Sequence, residues 1–143
     1  MNRRALAHLF VLLTVACSLS CRTGEYSARR DGEWLAKGYR YDKNGWIYLH
    51  IEGGPFERGF QRGYLTANEI EDFLRTLAYT QEFETAKKLD FFVEAAGRQF
   101  KNKIPKEYVE EIRGMVAGME KAGGKVTYEE MLFMNGFIDS DGA

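Results

Sequence analysis

Apolar residues follow two rhythms along this chain. Between Trp34 and Ile51 they come in two short, aromatic-rich runs, and from Phe56 onward they recur every three or four positions. The short runs predict two strands, Trp34 to Tyr41 and Trp46 to Ile51, around Asp42-Lys43-Asn44-Gly45. Asn44-Gly45 is a strong hairpin signal, because both residues accept the positive φ of a tight turn. In the second strand Ile47, Leu49 and Ile51 share a face suited to burial. Trp46, Tyr48 and His50 share the other, suited to partial cover.

The second rhythm predicts about four helices. The first runs from Pro55 to about Tyr79, with Phe56, Phe60, Tyr64, Ile70 and Phe73 on its apolar stripe. Phe83, Leu89, Phe92, Ala96 and Phe100 carry the next, to about Lys103, with Lys87, Lys88 and Arg98 on its solvated face. Pro105 opens a third, striped by Tyr108, Ile112, Met115 and Met119 and stopped by Gly123-Gly124. Thr127 and Glu130 form the capping box of a fourth, Tyr128 to about Ile138, which buries Met131, Leu132, Met134 and Phe137 or a subset of them. The fold class expected is α+β, an N-terminal hairpin plus helices. The last helix is apolar on several sides and calls for several partners. A lone hairpin is marginal without a covering layer. Both features predict part of a larger body.

Composition narrows the function. At 143 residues there is room for one modest domain, and a 45% hydrophobic, 14% aromatic make-up gives it a bulky core. The 20 basic and 21 acidic residues lack the basic surplus of a nucleic-acid binder. Asn2-Arg3-Arg4 followed by apolar Ala5 to Ala16 reads as an export signal, since a membrane-spanning helix needs about 20 apolar residues. Cys17 and Cys21 each follow small residues, and both are candidates for lipidation. The other reading is an ordinary secretory leader with incidental cysteines. Residues 1–21 are therefore expected to be the leader, 22–32 a polar tether and 33–143 the domain. The expected location is outside the cytoplasm, bound to the membrane through a lipid anchor, in a bacterial periplasm or at the cell surface. No cysteine follows Cys21, so no disulfide framework is expected.

Candidate chemistry is sparse. His50 is the sole histidine after the leader, which speaks against a zinc site or a Ser-His-Asp triad. No metal, cofactor or catalytic residue is expected within the chain. Glu52 and Glu57 flank the Gly53-Gly54-Pro55 turn; Glu57 is best explained by the helix dipole. Arg58 and Arg62 stand one turn apart and suit either an anion or neighbouring acids. Gly53-Gly54 ahead of a helix suits an anion, but the Lys-Ser/Thr of a phosphate loop is absent. Asn135, on an apolar helix, is expected to make a buried hydrogen bond. Gly59 and Gly63 notch the first helix where close packing is wanted.

Taken together, Trp46-Ile-Tyr-Leu-His-Ile-Glu-Gly-Gly-Pro-Phe-Glu-Arg-Gly-Phe-Gln-Arg-Gly-Tyr-Leu65 resembles the N-terminal signature of the acyl-coenzyme A:6-aminopenicillanic acid acyltransferase family and the related phospholipase B-like proteins. Gly53, Pro55, Glu57, Gly59, Gln61 and Gly63, with Asn135 further on, carry that resemblance. Two later pieces are similar as well, Ile104 to Met115 and Val126 to Asn135, so the likeness covers about Trp46 to Asp139. Arg62 departs from it, since family members often carry His there. The resemblance implies an N-terminal-nucleophile hydrolase with a four-layer αββα fold. In such an enzyme a cysteine freed by self-cleavage attacks an amide or ester carbonyl, with its own α-amino group as base. The family's nucleophile lies downstream of the Asn-containing helix, beyond residue 143. The expectation is a pre-nucleophile piece, inactive alone, whose partner is the missing C-terminal part of the same enzyme. The competing expectation is a small non-catalytic lipoprotein that binds a partner or ligand.

Overall fold

The computed structural model describes residues 30–100 and 102–140. They fall into two units that meet between Ala36 and Lys37. In the first, residues 30–35 are helical, where a strand was expected from Trp34. Glu33 and Leu35 are good helix formers and no β-branched residue interrupts the run, so local propensity prevails. Cys17, Cys21 and the leader lie outside the described residues.

The second unit is α+β. Its hairpin pairs β1 (Tyr39–Lys43) with β2 (Trp46–His50) antiparallel, Tyr39 opposite His50 and Lys43 opposite Trp46. The turn is the two-residue one expected, with Asn44 at φ 54° and Gly45 at φ 81°. Five helices follow: α1 (Pro55–Leu65), α2 (Ala67–Thr85), α3 (Leu89–Phe100), α4 (Lys106–Ala122) and α5 (Tyr128–Ser140).

The expected first helix is two. Thr66 leaves the helical region at φ −127°, and both its N–H and its hydroxyl bond back to the Arg62 carbonyl, at 3.0 and 2.8 Å. A side chain that competes for the ladder in this way bends or ends a helix. The Leu65 carbonyl left over is taken by Arg40 of β1, at 3.0 Å. Beyond Tyr79 the helix continues to Thr85 and stops at Ala86, which adopts a left-handed φ of 59°. No glycine marks that stop, which is why periodicity started the next helix too early, at Phe83.

The other ends agree with their sequence signals. Gly123, at φ 92°, closes α4 by donating to Glu120 O, and Gly124 donates to Met119 O at 2.9 Å. At α5 the Thr127 hydroxyl accepts from the Glu130 N–H at 3.1 Å, and the Glu130 carboxylate accepts from the Thr127 N–H at 2.7 Å. One core gathers Ile70 of α2, Ile112, Met115 and Met119 of α4, and Met131 and Leu132 of α5. A second joins Leu77, Ala96 and Phe133.

Several expected stripe residues are on the surface instead. Phe83 is 80% exposed, and Phe73 and Tyr108 are about half exposed. In the hairpin Ile47 is exposed like Trp46 and Tyr48, while Leu49 and Ile51 are half-buried, so the face expected to be buried is covered only in part. One hairpin face carries four parallel rings, with Tyr41 on Tyr48 at 4.8 Å and Tyr39 on His50 at 4.9 Å. No helix of the described residues is long and apolar enough to cross a membrane.

Candidate functional site

The stretch from Glu52 to Gly63 folds as strand end, turn and helix, and each of its marked residues acts on the backbone. Gly53 takes φ 111°, a conformation costly for any residue with a Cβ. Pro55 occupies the first helical position, where its missing N–H costs nothing. The Glu57 carboxylate accepts from the Gly54 N–H at 3.4 Å and pairs with Lys37. The anion suited to this helix start is thus supplied from within. Arg58 donates to the Gly53 carbonyl at 2.9 Å and to Glu111 of α4 at 3.2 Å.

Gln61 is fully buried. Its Oε1 accepts from the Glu52 N–H at 2.9 Å, and its Nε2 donates to the Glu52 carbonyl at 2.8 Å. The side-chain amide thus pairs with the backbone two residues past the end of β2, as a neighbouring strand would. Gly38 lies against the same side chain, where a Cβ would crowd it.

Gly59 and Gly63 explain themselves in α4. A Cβ at either would fall within 3.0 Å of the Glu111 or Met115 carbonyl group. The reverse holds as well: Gly114 and Gly118 of α4 leave no room for a Cβ against the Phe56 and Phe60 carbonyls of α1. Two Gly-x-x-x-Gly pairs therefore let two helix backbones touch, close enough for Cα–H to meet carbonyl oxygen. Gly118 had drawn no attention in the sequence, although its four-residue spacing from Gly114 mirrors that of Gly59 and Gly63.

The two acids flanking the turn do not form a pair. Glu52 lies 3.8 Å from the ring of His50, whereas Glu57 serves the helix start. Arg40 is the strongest electrostatic centre. It makes a two-pronged contact with Asp42 and another with Glu69, at 2.7 to 3.1 Å, besides its bond to Leu65 O. These hydrogen bonds hold the Asp42 and Glu69 carboxyls below the usual carboxylate range and push the Arg40 guanidinium still higher. The arrangement ties the hairpin to the α1–α2 break and leaves no free acid or base there.

Asn135 corrects an expectation. It is exposed, and its amide donates back to the Met131 carbonyl of its own helix at 2.7 Å. It lies on the rim of a cleft of about 290 Å³, with Arg62 and Tyr108 beside it and Phe100, Ile104 and Leu132 beneath. Arg62 is half-buried there, and its guanidinium has no hydrogen-bond or ion-pair partner among the described residues. Among those residues no cluster of His, Cys, Asp and Glu is arranged to hold a metal ion.

The chain is 28% identical over 134 residues to an uncharacterized protein of Archaeoglobus fulgidus. The alignment takes in 88% of this chain and 22% of the archaeal one, so the chain spans about a fifth of that relative's length. No family model matches the chain. No solved structure matches it either.

Proposed function

We propose that these residues form the scaffold portion of an exported cysteine N-terminal-nucleophile hydrolase or acyltransferase that acts on amides or esters. The reactive cysteine would come from a segment beyond residue 143. The observation that carries this reading is the Glu52–Gly63 stretch, in which every residue of the acyltransferase-like signature has a definite backbone task. Gly53 turns the chain, Glu57 caps the helix, Gln61 clamps the strand end, and Gly59 and Gly63 admit α4. Such a stretch positions a strand against a helix; it does no chemistry itself. The open ring-bearing face of the hairpin supports the same reading, because two strands gain stability from a wider sheet. So does the greater length of the archaeal relative. A lipid anchor at Cys17 or Cys21 would hold the enzyme at a membrane surface.

A second reading, a non-catalytic lipoprotein that binds a partner or ligand, is favoured by the open cleft at Arg62. The coding sequence after codon 143 separates the two. The hydrolase reading expects a continuation, in frame or displaced by a frameshift, that encodes Cys followed by Ser or Thr. The mature second subunit should then begin at that cysteine on N-terminal sequencing. A stop followed by unrelated sequence would sink it and leave the binding module.

A further inference from the structure

We infer that the cleft at Arg62 is a binding site for a monoanionic carboxylate carrying a short apolar tail. Two arginines stand one turn apart on α1, and the fold treats them differently. Arg58 is neutralised by Glu111 and by the Gly53 carbonyl. Arg62 faces the same cleft as Glu111, but its guanidinium has no partner among the described residues. Its nitrogens are not sealed off, since no buried side-chain polar atom goes unpartnered. An incoming anion can therefore reach the guanidinium without displacing an ion pair.

The shape of the anion follows from what surrounds it. A guanidinium offers two parallel N–H donors, which match one carboxylate. Glu111 is already paired with Arg58, so the cleft's uncompensated charge is the single positive one of Arg62, which a singly charged carboxylate matches and a doubly charged phosphate monoester exceeds. Tyr108 and Asn135 add polar groups at the rim. Below them Phe100, Ile104, Ile112 and Leu132 form an apolar floor. That floor gives nothing to a small hydrophilic anion and favours a hydrocarbon tail. At about 290 Å³ the space sits at the lower end for ligand pockets, which limits the tail to a short chain. The assignment is independent of the hydrolase reading, because it concerns binding and needs no nucleophile.

The test is calorimetric titration of the full chain with octanoate, octanamide, acetate and octyl phosphate. Octanoate should saturate a single site, with octanamide and acetate weaker by about tenfold or more. Arg62→Gln should weaken octanoate by a similar factor and leave octanamide unchanged, while Arg62→Lys should retain part of the affinity. Equal affinity for octanoate and octanamide would overturn the assignment, as would an Arg62→Gln protein that binds octanoate like the parent. Tighter binding of octyl phosphate than of octanoate would overturn the choice of head group. If Arg62→Gln fails to fold, the four-ligand series on the unaltered chain still decides.

Discussion

Helix α1 and the hairpin before it are neighbours in sequence but are held in opposite ways. The helix meets α4 backbone to backbone through four glycines, and nothing at that contact can give. The hairpin keeps Trp46 72% exposed and most of its other side chains open. Among the described residues it is tied to the helices by polar contacts: Arg40 on Leu65 and Glu69, and the Gln61 amide on Glu52 just past β2. Close packing therefore supplies rigidity in one region, and directed hydrogen bonds supply alignment in the other. The two regions should respond differently to mutation.

The largest effect is expected in the glycine contact. Gly118→Ala would gain about 1 kcal/mol of helix propensity. It would also drive a methyl group into the Phe60 carbonyl, and overpacking of this kind costs about 1–3 kcal/mol, sometimes more. The backbone cannot retreat without parting the helices, so the cost outweighs the gain and the net expectation is a loss of about 1–2 kcal/mol in a urea melt. A stabilised Gly118→Ala protein would mean that the helices do not touch.

A smaller effect is expected at the polar tie. Arg40→Gln should lower the melting midpoint by less than Gly118→Ala does, because its contacts are partly solvated. The pH dependence distinguishes it. Asp42 and Glu69 have lowered folded-state pKa values, so the stability they contribute is present above the ordinary carboxylate range and is lost as pH falls through their folded values. The gap between parent and Arg40→Gln should hold steady near neutrality and close below about pH 4. A gap unchanged down to pH 2 would rule out this role for the ion pairs. Least of all, Trp46→Thr should stay within about 0.5 kcal/mol of the parent in the same melt, since the ring is mostly in solvent and threonine suits a strand. A large loss there would mean that the hairpin face is covered.

Features decided by one or two residues were legible in the sequence. Asn44-Gly45 marked the hairpin, Gly123 a helix end, and Thr127 with Glu130 a helix start, because a positive φ or a cap is a local matter. The breaks at Thr66 and Ala86 were not legible. The first is shared with Arg40, a residue of another element, and the second places an alanine where glycine would be expected. At the site, Gly59, Gln61 and Gly63 stood out, but what they meet did not, since Gly114 and Glu52 reach them only through the fold. Arg62 differed from Arg58 only once Glu111 was seen to have chosen between them.

Gln61 acts as a register pin. Its amide engages the donor and acceptor of Glu52, two positions past the end of β2, and a one-residue slip would turn those groups away from it. Sliding the strand by one position would exchange its two faces and move Tyr48 and His50 off the ring column. Strands added beside this pair would inherit their alignment from one buried glutamine.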